Sequence, residues 1–379
     1  MTSIIIRCDA SNSIGSGHVI RCRTLARELQ RQGAKISFLC RRQPGDLIAL
    51  LERDFPVIAL PDQSLALCEG LEGRNLYGAW LGCTQEQDAA QCLAALAEAG
   101  IKSASWLVTD HYGLDAIWET KLISGLTNGH GLPKLLVIDD LADRPHQADL
   151  LLDQNFFGEA SEHRYQDLVP PHCHQMLGPY YALLGPEYAQ LHPLVPQRTE
   201  LRRLLVFFGG VDPDNLTAQV IEALLDPVVI DLAVDVVLGL QSPHRTTVEE
   251  LVAIRPNTTL HDPKSSLAGL MARADLAIGA VGATTWERAC IGLPCISIPI
   301  ASNQIPVSKI LAQHEFIRLI EPSQDTFRSK LLEELDFFSR PDSIERISLK
   351  SSSLTKGEGC QICAEYLLRA RIRSSFQLP

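Results

Sequence analysis

Residues 4–18 read IIIRCDASNSIGSGH. The apolar run Ile4-Ile5-Ile6 has the character of a strand buried on both faces, as parallel strands are. Asp9, Ser11, Asn12 and Ser13 then favour a turn. Gly15 and Gly17 let a backbone approach a ligand with no Cβ in the way. His18 follows at once, and VIRCRTLARELQRQG reads as a helix. A histidine is thus expected at the first turn of a helix, just past the carboxyl end of a strand. In open α/β sheets that is where ligands bind, and the free N–H groups of a helix start favour anions.

The same alternation spreads through the first half. Apolar runs at 3–8, 35–40, 104–109, 134–139 and 150–153 alternate with helical patterns at 18–32, 86–99 and 114–126. That predicts a parallel sheet with helices on both faces. Residues 61–80 are less regular and read as a loop rim. From residue 178 the stretch GPYYALLGPEYAQLHPLVPQRTE is rich in Pro and Gly and lacks a helical period, which puts the domain crossing near 185–200. A second alternation follows, with strands at 203–210, 231–239, 274–280 and 294–300. Helices are expected near 214–225, 245–254, 264–272, 285–291 and 303–313, with a further helical tail at 358–373. The fold class is therefore α/β, with two Rossmann-like domains and a cleft between them. The divisions are 1–190, 200–357, and a terminal segment 358–379 packing back on the first domain.

The chain has 379 residues, 46% hydrophobic and 21% charged, with a net charge of −11. The acidic balance and the lack of a basic block argue against nucleic acid as partner. No apolar run reaches membrane-span length and no signal peptide is visible, so a cytoplasmic protein is expected. Most of the eleven cysteines fall in predicted strands and helices, as small core residues. The pair Cys360 and Cys363 lacks the βαβ context of a redox motif and reads as structural. His172-Cys173-His174 reads as surface loop.

In the second half, residues 275–304 are the richest stretch: DLAIGAVGATTWERACIGLPCISIPIASNQ. A strand ends at Ile278, Gly279 and Gly282 form a tight loop, and Thr284 or Thr285 caps a helix. That helix start suits a diphosphate. Glu287, placed in its first turn, either accepts ribose hydroxyls or is only a favourable helix-terminus charge. Asn303 and Gln304 follow the next strand. Gly209 and Gly210 form a second, weaker candidate phosphate loop. In the first half, Asp110-His111-Tyr112 and Asp139-Asp140 end strands. The paired aspartates either hold a divalent metal or cap loop backbone, and capping is favoured.

The stretches RCDASNSIGSGHVIRCRTLA, TDHYGLDAIWE, IDDLADRPHQADLLLDQN, LLGPEYAQL and GATTWERACIGLP with SNQ resemble a known family. It is the UDP-2,4-diacetamido-2,4,6-trideoxy-β-L-altropyranose hydrolases of pseudaminic acid biosynthesis, which are similar in fold to GT-B glycosyltransferases. The resemblance implies hydrolysis of a UDP–sugar bond with no cofactor and no metal. It puts the catalytic base on His18. It puts the family's tyrosine on Tyr112, its nucleotide-binding glutamate on Glu287 and its Asn-Gln pair on Asn303 and Gln304. By their place at strand ends and helix starts, Gly15, Gly17, Asp110, Gly209, Gly210, Gly282, Ala283 and Thr284 are expected to join them as substrate contacts. Cys8, Val281 and Ala283 depart from the family's usual Ala, Gly and Ser. The partner implied is a small UDP-sugar, and a monomer is favoured. A glycosyltransferase, a UDP-sugar 2-epimerase or a non-catalytic sensor would use the same nucleotide site.

Overall fold

A computed structural model describes residues 2–63, 73–126, 131–239, 242–321 and 326–369. Part of the irregular 61–80 stretch and the last residues of the tail lie outside these. The chain divides into two compact units, residues 1–183 with 358–379, and residues 184–357.

Among the described residues the first unit holds seven strands: β1 (Ser3–Cys8), β2 (Lys35–Arg41), β3 (Val57–Leu60), β4 (Trp106–Asp110), β5 (Lys134–Ile138), β6 (Leu150–Asp153) and β7 (His174–Leu177). They run parallel in the order β3-β2-β1-β4-β5-β6-β7. The pleat sends alternate residues of β1 to opposite faces. Ile4, Ile6 and Cys8 pack with Val19, Cys22, Leu25 and Leu29 of the helix Gly17–Arg31. Ile5 packs on the other face with Leu107, Trp118 and Leu122. Arg7 is fully buried, so its charge must be met inside. Asp9 lies 2.5 Å from it and Asp88 3.0 Å.

The helix Gly359–Arg369 belongs to this unit. Cys360, Cys363, Ala364 and Leu367 join the β1 side of the core. Its last-turn carbonyl at Leu367 accepts the Trp106 indole N–H at 2.9 Å. Both cysteines are reduced and buried, and burial pushes the Cys363 thiol up to about 12.

The second unit holds β8 (Arg203–Phe207), β9 (Ala233–Val237), β10 (Thr258–His261), β11 (Leu276–Ala280), β12 (Cys295–Ile298) and β13 (Arg318–Leu319). Their order is β10-β9-β8-β11-β12-β13, again parallel. In each sheet the strand order reverses once, between β1 and β4 and between β8 and β11. Those reversals are the points where open α/β sheets bind ligands.

Several sequence expectations are corrected here. The Pro/Gly-rich stretch contains a helix, Pro186–Leu191, with proline at its first position. Further on, Arg198 is buried and donates to the carbonyls of Met271, Ala274, Ile291 and Gly292. His174 opens the edge strand β7, so the His172–His174 stretch is not all loop. The strand after Ala274 runs to Ala280, and Gly279 lies inside it rather than in a turn. A Cβ at Gly279 would fall 2.3 Å from the Phe207 carbonyl oxygen, so close strand pairing requires the glycine. No described helix is long and apolar enough to cross a membrane.

Candidate active site

In the first unit the loop after β1 is built by its own side chains. Ser11 Oγ accepts the Ile14 N–H at 3.1 Å, and the Gly15 N–H reaches the Ser11 carbonyl at 2.8 Å. Gly15 sits at φ +79°, a left-handed conformation that favours glycine. A Cβ at either Gly15 or Gly17 would meet nothing within 4 Å, so the backbone here faces open space. Ser16 makes no side-chain cap, which leaves the first N–H groups of the helix without one.

His18 is 7% exposed. Its Nδ1 lies 2.6 Å from Asp110 Oδ1, at the end of neighbouring β4. Burial alone would push the Asp110 carboxyl up, but Arg21 and His18 hold it well below the usual carboxylate range. Asp110 is therefore an anion that only accepts, and Nδ1 must carry the proton. In the neutral ring the lone pair is then on Nε2, which makes no hydrogen bond among the described residues and is not sealed from solvent.

Asp110 is expected among the substrate contacts, and the structure places it behind the histidine. It is 0% exposed, and Arg21 Nε and Nη2 hold its two oxygens at 2.6 and 2.7 Å. The Cys22 thiol also reaches it, at 3.4 Å. Its oxygens are thus spent on His18, Arg21 and Cys22. Tyr112 is placed beside the histidine, ring centroids 4.6 Å apart and nearly perpendicular. Its hydroxyl donates to Asp140 at 2.5 Å.

Asp139 and Asp140 point to different partners. Asp139 takes Arg144 at 2.9 Å, the Ala142 N–H and the Tyr165 hydroxyl. Asp140 takes Arg21, Tyr112 and Asn155. Among the described residues no group of His, Cys, Asp or Glu is arranged to hold a metal.

Sequence reasoning missed Tyr77 and Trp80, which complete an aromatic wall at this end of the sheet. Trp80 stacks on Tyr112 at 5.5 Å and stands 6.1 Å from His18. Tyr77 meets both Trp80 and Tyr112 edge-on. They come from the short helical segment Gly73–Leu81. The Tyr77 carbonyl oxygen lies 2.6 Å from where a Cβ of Gly113 would be. That close approach accounts for the glycine after Tyr112.

In the second unit, Gly282 precedes the helix Ala283–Cys290, and its N–H donates to Thr285 Oγ1 at 3.1 Å. The first turn carries no acid. Arg288, buried beneath it, donates to the Ala280 carbonyl at 2.8 Å and reaches Thr284 Oγ1 at 3.3 Å. A helix start with a cation beneath it and no acid favours an anion. Gln304 lies beside the loop, its Nε2 4.0 Å from a Cβ built on Gly282, and its Oε1 accepts the Ile300 N–H. Asn303 stands at the start of the helix Gln304–Gln313 without spending its side chain on a cap.

Glu287 lies in the second turn, not the first. Burial pushes its carboxyl up to about 7. The Tyr188 hydroxyl lies near it without hydrogen-bond geometry. Gly209, at φ +96°, and Gly210 follow β8 beside this loop, both open to space. The helix after them is a weaker anion site than the sequence suggests. Its Leu216 and Thr217 N–H groups are already taken by Asp212.

The architecture of two parallel sheets matches solved glycosyltransferases over nearly its full length. The fold is GT-B. MurG of Acinetobacter baumannii aligns with a TM-score of 0.61 at 14% identity, over 97% of this chain and all of that one. No family model matches the sequence. The resemblance read in the sequence is borne out by curated proteins. The chain is 27% identical to the UDP-2,4-diacetamido-2,4,6-trideoxy-β-L-altropyranose hydrolase of Campylobacter jejuni, over 82% of this chain and 96% of that one. It is 32% identical to the spore coat polysaccharide biosynthesis protein SpsG of Bacillus subtilis, over 36% of this chain. That match spans only about two-fifths of SpsG's length, 40%.

Proposed function

We propose that this GT-B protein is a UDP-sugar hydrolase, cleaving UDP-2,4-diacetamido-2,4,6-trideoxy-β-L-altropyranose to UDP and the free sugar. The similarity to the Campylobacter jejuni hydrolase over most of the chain supports the substrate. The observation that carries the chemistry is the 2.6 Å bond from His18 Nδ1 to Asp110, which leaves Nε2 as a base. In this reading Nε2 takes a proton from water as the oxygen attacks the anomeric carbon. The C–O bond to UDP breaks, and the electron pair leaves with the diphosphate. Asp110 keeps the ring in the right tautomer and stabilises the imidazolium that forms. The diphosphate is assigned to the loop at Gly282, Ala283 and Thr284, whose helix start would stabilise its growing charge. Glu287, Asn303 and Gln304 are assigned to the nucleoside side. Attack from the far face inverts the anomeric centre.

The test is product analysis by NMR with a panel of UDP-sugars, on the parent and on His18→Asn. UDP and free sugar are expected from the parent, rather than a 2-epimer or a product transferred to an acceptor. His18→Asn should lose at least about 10²-fold in turnover, the usual contribution of a general base. Its UDP affinity should stay within about threefold, a change near the lower limit of what one hydrogen bond contributes. Turnover near the parent's rate would remove His18 as the base.

A further inference from the structure

We propose that Arg21 is a positioning residue for this reaction: one guanidinium ties the carboxylate that orients His18 to the carboxylate that holds Tyr112. The inference rests on the hydrolase reading and adds a residue to which that reading assigns no role.

Arg21 lies three residues after His18 in the same helix, so both side chains leave the same face. It is 6% exposed. Its Nε and Nη2 grip both oxygens of Asp110, at 2.6 and 2.7 Å. The outer edge of the same fork reaches Asp140, Nη1 to Oδ1 at 3.0 Å and Nη2 to Oδ2 at 2.8 Å. Asp140 in turn accepts the Tyr112 hydroxyl at 2.5 Å, and the Tyr112 ring is packed edge-on to His18. The two residues flanking the reacting region are thus fixed from one cation. Asn155 Nδ2 also donates to Asp140 Oδ1 at 2.7 Å, which limits where that carboxylate can swing.

Charge alone does not account for the arrangement. Asp110 needs a cation to remain an anion in a fully buried position. A lysine would supply that charge, but only as a point with flexible reach. Bridging two carboxylates in one plane requires the rigid fork of a guanidinium. If the fork sets the geometry, Arg21→Lys should fail although the charge is kept.

The experiment uses the full-length protein with Arg21→Lys, Asp110→Asn, the double variant, and His18→Asn as reference. Turnover and KM are measured with the UDP-sugar, UDP affinity by calorimetry, and the ring N–H of His18 by ¹⁵N-histidine NMR. Arg21→Lys should lose on the order of 10–10² in kcat, as a misplaced base does, with UDP affinity within about twofold. The His18 N–H signal should shift or broaden. In the Asp110→Asn background Arg21→Lys should cost clearly less than it does in the parent, because one of its two arms acts through Asp110. A kcat within about threefold of the parent with an unmoved His18 signal overturns the proposal. So does a double variant whose losses multiply, since independent sites combine in that way. If Arg21→Lys does not fold, Asp140→Asn carries the test: it keeps an acceptor for Tyr112 but weakens the second arm. A kcat there within about twofold of the parent, less than one hydrogen bond to a charged group is worth, would overturn it. An inactive His18→Asn beside an active Arg21→Lys defeats only this inference, whereas an active His18→Asn defeats the hydrolase reading itself.

Discussion

At the scale of single residues, two carboxyl groups near the candidate sites behave in opposite ways. Asp110 is held as an anion by Arg21, and Glu287 is held near neutrality by burial at about 7. Asp110→Asn offers His18 an amide in place of an anion, so the Nδ1 proton is no longer enforced. Turnover should fall by at least about 10²-fold with UDP affinity unchanged, as steady-state rates and calorimetry would show. For Glu287 the sign runs the other way. If ribose hydroxyls donate to it, the ligand selects the ionised form, which in the free protein is populated only above about pH 7. Affinity for uridine, which has the ribose but no titrating phosphate, should rise with pH up to about 7 and then level off. In Glu287→Gln the dependence should be flat, and an equal slope in both proteins would return Glu287 to a structural role. His18 and the glycines before it were legible in the sequence, because a Gly-x-Gly-His run between a strand and a helix contributes little to packing. The inward role of Asp110 was not, since a DH pair after a strand looks the same whether its aspartate faces a ligand or a neighbouring arginine.

At the scale of elements, legibility followed length and burial. The strands beside the reversals, β1, β4, β8 and β11, are buried on both sides, so their apolar runs stand out. The edge strands β7, β10 and β13 are short and half-exposed, and their composition differs little from loop. The segment Gly73–Leu81 gave no periodic signal either. Its place is fixed by the close fit to Gly113 and by Gln43, whose side-chain amide donates to the Trp80 carbonyl at 2.8 Å. The helix Gly359–Arg369 is held through a bond that can be removed alone. Trp106→Phe deletes the indole donor to Leu367 and keeps most of the packing. It should lower stability by about 1 kcal/mol, or roughly 2–4 °C in calorimetric midpoint for a unit of this size. UDP affinity should not change.

At the scale of the whole molecule, pH and ions act through the acidic cluster behind the first site. Burial, with Asp140 adding its charge, pushes Asp153 up to about 7. A carboxyl with a raised folded pKa favours folding while it is protonated. Its contribution is fully present below the ordinary carboxyl range near 4 and is lost as pH rises toward 7. The unfolding midpoint of the parent should therefore decline across that window, and the decline should be shallower in Asp153→Asn. A steeper slope in the variant would contradict the assignment. Turnover should survive dialysis against EDTA, because arginines already occupy Asp139 and Asp140. Loss of activity restored by magnesium would make those aspartates ligands after all. The chain path of the first unit has a consequence for synthesis. Its core is closed by a helix that leaves the ribosome only after the whole of residues 184–357. At 5–20 residues per second the nascent unit waits roughly ten to forty seconds for that cover. Meanwhile the strip of core beside Trp106 and Cys22 that this helix covers stays open to chaperones, to oxidants and to other unfinished chains.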